Sequence, residues 1–199
     1  MNRIFELIYP RFLWRMPATD PCIYLTFDDG PVPGVTPWVL EQLKEFNAKA
    51  TFFCVGDNIR KHPETFREVV REGHSIGNHT YNHLNGWKTP TEEYLQNMNR
   101  SEQLYPTRLF RPPYGRIKKK QADGILPHHR IIMWSVLTRD YSAGLSPEKC
   151  LKNAIKNTRK GAIVLFHDSL KARRNLEFVL PRYLEHFSRL GYRFEKLQP

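Results

Sequence analysis

Cys22-Ile23-Tyr24-Leu25-Thr26-Phe27-Asp28-Asp29-Gly30 is the stretch on which the fold turns. Its first six residues are apolar, aromatic or β-branched and read as a strand, which the Asp28-Asp29-Gly30 turn stops. Thr36-Pro37 then offers an N-cap with proline at the first helical position. Trp38, Val39, Leu40, Leu43 and Phe46 follow at helical spacing, and Thr51 to Val55 reads as the next strand, ended by Gly56. Strand, acidic turn, helix and strand together describe a βαβ unit.

The same alternation runs outward to the C-terminus. A helix from Pro63 carries Phe66, Val69 and Val70 and stops at Gly73, and His74 to Gly77 is a short third strand. Thr89-Pro90-Thr91-Glu92 resembles a capping box and opens a helix with Tyr94, Leu95, Met98 and Leu104. Leu109-Phe110-Arg111 is the fourth strand, halted by Pro112-Pro113, and Arg130 to Val136 is the fifth. Ser146-Pro147 starts a helix that ends at Gly161. Ala162 to Phe166 is a continuous apolar run of the kind a parallel strand buried on both faces shows. A helix over about Glu177 to Leu190, with Pro181 inside it, precedes a seventh strand at Tyr192 to Lys196. Seven strands separated by helices imply right-handed crossovers and a parallel sheet. An open doubly wound sheet and a (β/α) barrel accommodate this pattern equally.

The length of 199 residues suits a single domain. Lys and Arg number 31 against 20 Asp and Glu, a net charge of +11. The basic residues are dispersed, with Lys118-Lys119-Lys120 the densest run, and no nucleic-acid-binding motif accompanies them. The expectation is a basic solvated surface, open to contact with an anionic polymer or a membrane surface, and no specific nucleic-acid partner. Cys22, Cys54 and Cys150 are odd in number and form no CxxC pair, so they read as buried thiols. No run approaches the roughly 18 apolar residues of a membrane span. Residues 1–16 are aromatic and apolar, but Arg3, Glu6, Pro10, Arg11 and Arg15 interrupt them, and no signal-peptide pattern emerges. Residues 1–21 are therefore expected to pack on the domain or lie near a membrane, with 22–199 a single domain. A cytoplasmic or membrane-peripheral location is the expectation that follows.

Position singles out the chemistry. Asp28-Asp29, His79 and His83, Arg111, Asp140 and His167 all fall just past predicted strand ends. In parallel α/β folds those ends share one face, where sites form. Adjacent carboxylates repel unless a cation or a proton relieves them. His79 and His83 are four residues apart, a spacing that one helical turn presents on one face, and with a carboxylate they make a two-His-one-carboxylate set. Arg111 ends an apolar strand, where a guanidinium needs a carboxylate. Leu165 and His167 face the same way on one strand.

Taken together, these residues resemble the NodB-homology polysaccharide deacetylases, carbohydrate esterase family 4, from about Ile23 to the C-terminus. Thr26-Phe27-Asp28-Asp29-Gly30 matches TFDDG, and His79-Thr80-Tyr81-Asn82-His83 matches H(S/T)xxH. Arg111-Pro112-Pro113-Tyr114 matches the RxPY-type motif, Leu137 to Tyr141 stands where DxxDW is expected, and Leu165-Phe166-His167 closes the series. The resemblance implies a distorted (β/α) barrel of about seven parallel strands. It also implies a divalent metal, zinc above others with cobalt an alternative, on Asp29, His79 and His83. Asp28 would be the general base oriented by Arg111, and His167 the general acid tuned by Asp140. Tyr114 would donate its backbone N–H to the oxyanion, Leu165 would receive the acetyl methyl, and Pro113 and Tyr141 would line the substrate. Two positions depart from the pattern. Leu137 replaces an Asp that would brace Arg111, and Tyr141 replaces a Trp.

The implied activity is metal-dependent deacetylation of N-acetylated amino sugars in peptidoglycan or a chitin-like glycan. No GxSxG elbow supports a covalent nucleophile instead. Deformylation or deacetylation of a lipid-linked sugar and a catalytically silent glycan-binding module remain as alternatives.

Overall fold

The computed structural model describes residues 3–17 and 19–198, with side chains from Glu6 onward. Residues 1, 2 and 18 of the expected N-terminal extension, and residue 199, fall outside the described residues. Helix α1 (Arg3–Ile8) precedes β1 (Cys22–Asp28), α2 (Thr36–Glu45), β2 (Ala50–Cys54), α3 (Gly56–Lys61), α4 (Pro63–Arg71) and β3 (Ser75–Asn78). Then come α5 (Thr91–Glu102), β4 (Leu109–Phe110), α6 (Lys119–Ile125), β5 (Arg130–Ile131) and β6 (Val136–Leu137). The chain ends with α7 (Pro147–Asn157), β7 (Ala162–His167), α8 (Arg173–Arg189) and β8 (Arg193–Phe194).

Seven strands run in the order β5-β4-β3-β2-β1-β7-β6, and β8 pairs with the first residues of β1. Every strand pairing in this sheet is parallel. The expected fifth strand, Arg130 to Val136, is two short strands rather than one. Between them Met133 N–H bonds the Leu13 carbonyl and Ser135 N–H bonds the Ile163 carbonyl, so the chain leaves the edge beside β4 and reaches the edge beside β7. Leu13 bridges Ile132 and Arg15 bridges Ala162, which lays the N-terminal segment across the same gap. The sheet therefore curls into a distorted barrel.

Side-chain alternation along the strands separates two cores. Ile23, Leu25 and Phe27 on β1, Phe52 on β2, and Val164 and Phe166 on β7 point outward and pack under α2, α4, α7 and α8. Phe27 stacks between Phe52 and Phe166, with ring centroids 5.0 and 5.8 Å away. The alternate residues point into the barrel, where Phe53, Leu109, Ile132, Ile163 and Leu197 fill the lower end. Thr26, Asp28, Leu165 and His167 continue those inward rows upward. The register Thr26↔Leu165 and Asp28↔His167 sets a carboxylate and an imidazole side by side at the top.

Several local expectations are corrected. Thr36 is the first helical residue of α2, not its cap; its hydroxyl accepts from Val32 N–H and donates to Asp168 Oδ2 at 2.6 Å. Thr89 does not cap α5, because Pro90 holds that position and the Thr89 hydroxyl donates to the Asn85 carbonyl. Ser146 does cap α7, accepting from Lys149 N–H. The last helix begins at Arg173 and runs through Pro181, because Val179, Leu180, Tyr183 and Leu184 are fully buried and packing outweighs the missing backbone bond. Helices α3 and α6 had no reading in the sequence. All three cysteines are free and buried.

Candidate active site

The residues singled out at strand ends converge on one cavity of about 360 Å³ at the upper rim of the barrel. Asp28, Asp29, His79, His83, Tyr114, Tyr141, Leu165 and His167 line it. Arg111 and Asp140 stand behind that wall, buried, and Pro113 is buried beside it without reaching the cavity. A larger cavity of about 610 Å³ at the strand beginnings brings His74, Arg108 and Lys196 together, and none of the expected site residues reaches it.

His79 and His83 do not lie on a helical turn. Residues 79–83 form an irregular bend in which Thr80 and His83 have positive φ. The bend is held by neighbours. Asn78 Oδ1 accepts from Thr80 N–H, and Asn97 Oδ1 accepts from both Tyr81 and Asn82 N–H. The Thr80 and Tyr81 carbonyls accept from Gly56 and Asp57. Six non-glycine residues among those described have positive φ, and Asp29, Thr80, His83, Tyr114 and Arg139 are in or next to the site motifs. Such backbone persists only where surrounding contacts over-determine it.

Asp29 Oδ1 stands 3.1 Å from His83 Nε2 and 3.8 Å from His79 Nε2. All three donor atoms lie within 4.8 Å of one another. Ligands at ~2.0–2.1 Å from a tetrahedral ion stand about 3.3 Å apart, so the set fits one small divalent cation. The second ring nitrogens fix the imidazoles. His79 Nδ1 is 2.8 Å from the Arg111 carbonyl, an acceptor only, so Nδ1 carries the proton and Nε2 presents its lone pair. His83 Nδ1 is 3.2 Å from the Tyr114 hydroxyl. Burial pulls the His79 pKa down to about 4, which keeps the ring neutral. Burial works to raise Asp29, but the hydrogen bond to His83 and the nearby imidazoles outweigh it and hold the carboxyl well below its usual range.

Asp28 gives Oδ1 to Arg111 Nη1 at 2.7 Å, leaving Oδ2 on the metal side, 3.8 Å from His79 Nε2. Arg111 is fully buried and every nitrogen is used: Nε donates to the Ile132 carbonyl, Nη2 to the Met133 carbonyl, and Nη1 also to Thr26 Oγ1. Its guanidinium lies 4.1 Å over the Phe53 ring. Two carbonyls and a hydroxyl therefore brace the arginine in a chain with Leu137 where the motif has an Asp. Leu137 instead lines the cavity.

On the other side, His167 Nδ1 donates to Asp140 Oδ1 at 2.8 Å, and Asp140 Oδ2 accepts from His167 N–H at 2.7 Å. Burial opposes charge on this ring, but the Asp140 carboxylate outweighs it and raises the pKa to about 9. Tyr141 meets His167 edge-on, with centroids 4.9 Å apart. Trp134, Leu137 and Leu165 supply the apolar part of the lining. Gly115 has φ +65, and a Cβ there would stand 2.6 Å from the Trp134 ring, so only glycine allows that approach.

Sequence reasoning missed Trp134, Arg116 and Lys171 in the lining, and Asp168 beneath it. Asp168 is buried and accepts from Gly30 N–H and the Thr36 hydroxyl, tying the Asp28-Asp29 turn to α2. Burial pushes its pKa up to about 8. Its signal was in plain view, an acid directly after His167. Trp134 lay inside the run read as one strand, and the two cations were lost in a dispersed basic composition.

The polysaccharide deacetylase family profile matches residues 15–125. Two Bacillus cereus proteins, each described as a peptidoglycan-N-acetylglucosamine deacetylase, are similar to the chain. One is 34% identical over 193 residues, covering 91% of this chain and 88% of that protein. The other is 38% identical over 154 residues, covering 74% of this chain, and the chain spans 56% of its length. Among solved structures, a peptidoglycan N-acetylglucosamine deacetylase crystallised with an N-hydroxybenzamide derivative superposes with a TM-score of 0.90. It is 32% identical, and the match covers 97% of this chain and 94% of that one.

Proposed function

This chain belongs to the polysaccharide deacetylase family, and we propose that it hydrolyses the N-acetyl group of an amino sugar within a glycan, releasing acetate and a free amine. One observation carries the reading. The Asp28↔His167 register places a carboxylate and an imidazole on adjacent strands beside the Asp29, His79 and His83 donor set. A binding module needs no such arrangement. Peptidoglycan is the favoured glycan, since the relatives above are described as acting on it.

Asp29, His79 and His83 would hold the divalent cation, and Zn²⁺ suits two neutral imidazoles and a carboxylate with positions left open. Bound there, it supplies a Lewis acid for the acyl oxygen and lowers the pKa of water. Asp28 Oδ2 takes the proton of the attacking water as the C–O bond forms. Arg111 holds that carboxylate in place through its Oδ1. The Tyr114 backbone N–H donates to the developing oxyanion, and Leu165 with Leu137 receives the methyl group. His167 Nε2 hands its proton to the sugar nitrogen as the C–N bond breaks. Asp140 holds the Nδ1 proton, so that Nε2 is the nitrogen that donates.

The test is acetate release from N-acetylglucosamine oligomers and peptidoglycan by the zinc-loaded protein, followed against pH. His167 must be protonated to act, so it is competent below its pKa and loses its proton as pH rises. The rate should therefore fall through a limb near pH 9. Asp140→Asn removes the charge that opposes burial, and the limb should move down by about one to three units. A limb that stays put in Asp140→Asn would remove His167 as the acid. Absence of acetate from every N-acetylated glycan would remove the reading itself.

A further inference from the structure

The cavity carries two cations that the reaction described above does not use. Arg116 and Lys171 both line it. Arg116 directly follows the Tyr114-Gly115 turn, where Tyr114 packs on His83 with centroids 4.6 Å apart. Lys171 follows β7, four residues past His167. One cation thus flanks the metal-ligand side and the other flanks the acid side.

Each lies over an aromatic face. The Arg116 guanidinium lies 5.0 Å from the Trp87 ring centroid, and Trp87 is 60% exposed. Lys171 Nζ lies 5.6 Å from the Tyr141 ring centroid. Among the described residues neither side-chain cation makes a hydrogen bond or an ion pair, although eight other arginines and lysines pair with nearby acids across exposed surfaces. A cation held over an aromatic face is positioned without spending its N–H donors, which stay available to an anionic substituent of a glycan. A neutral glycan has no charged group to pair with those donors.

We propose that Arg116 and Lys171 determine specificity by binding carboxylates that the glycan carries on either flank of the N-acetyl group being hydrolysed. This deepens the deacetylase reading and rests on it. The substrate class is an acidic N-acetylated glycan, such as a peptidoglycan strand with free lactyl or peptide carboxylates, in preference to a neutral chitin-like chain. Arg116 presents a planar fork suited to a bidentate carboxylate, while Lys171 acts as a point charge.

The test compares a peptidoglycan fragment bearing N-acetylglucosamine and free carboxylates with the same fragment amidated at those carboxylates. Turnover by the zinc-loaded protein and calorimetric binding are measured on both. Each partly exposed ion pair is worth about fivefold at its upper end, so wild type should favour the acidic fragment by about 25-fold, mainly in KM. The preference should shrink as salt rises. The Arg116→Gln/Lys171→Gln double variant should bring the ratio of the two fragments to within about twofold, while Arg116→Lys and Lys171→Arg should retain most of it. Equal handling of both fragments by wild type overturns the proposal, as does a double variant that lowers both by the same factor. Binding that keeps the preference without any acetate release would sustain this inference and overturn the deacetylase reading instead.

Discussion

The Asp28→Asn variant should lose about 10²–10⁴ of kcat while keeping its fold and its metal. Asn is nearly isosteric with Asp, and its amide oxygen can still accept from Arg111 Nη1, so the buried guanidinium keeps a partner there in addition to Thr26 and two backbone carbonyls. What disappears is the basic Oδ2 beside His79. None of the three metal-donor atoms belongs to Asp28. The measurement is steady-state acetate release by wild type and variant, with zinc content determined on both. A variant within tenfold of wild type would show that another group takes the proton from water.

Arg111→Met is the second large effect, and it falls on stability. Removing the guanidinium leaves the Asp28 carboxylate buried without its counter-charge, and it strips donors from Ile132 and Met133 carbonyls. Breaking one half of a buried, hydrogen-bonded pair costs about 3–5 kcal/mol. Urea unfolding should show a loss of that size. The double variant Asp28→Asn/Arg111→Met should recover part of it, because the uncompensated charge goes as well. A loss below about 1 kcal/mol, the range of an exposed pair, would mean that water reaches Asp28 and screens it.

Much of this was legible before any coordinates. Strands with strong apolar runs, such as Cys22 to Phe27 and Ala162 to Phe166, appear where the pattern places them, because a strand buried on both faces leaves little ambiguity. Part of the residue set that converges on the cavity was legible for a related reason, since Asp28 and His167 end such runs and Arg111 directly follows Leu109–Phe110. The Arg130 to Val136 stretch misled because its apolar character reflects burial in a crossing between two sheet edges, not one ladder. The His79 and His83 spacing fitted a helix, yet Asn78 and Asn97 impose a bend through contacts from other parts of the chain. Hydrophobic periodicity carries no trace of such bonds. Pro181 lowered the expected helix start, and fully buried neighbours overrode it. Arg116 and Lys171 were invisible for a different reason. An unpaired cation on a cavity wall has the same composition as one on open surface.

The departures from the family motif have separate consequences. Leu137 stands in place of an acid, and Arg111 is braced without one by two backbone carbonyls and the Thr26 hydroxyl. Tyr141 keeps an aromatic edge against His167 and adds a face for Lys171. The proposed catalytic set is therefore complete while the wall around it is altered.

The account stands most directly on one titration. Chelated protein is mixed with increasing Zn²⁺, and acetate release from an N-acetylated glycan is read beside bound metal. Activity should be absent at the start and rise to a break at about one ion per chain, as a single three-residue donor set requires; His79→Ala and His83→Ala should each abolish the break. Full activity in the chelated protein, or a break that survives both substitutions, would contradict the assignment of Asp29, His79 and His83 as the centre of the chemistry.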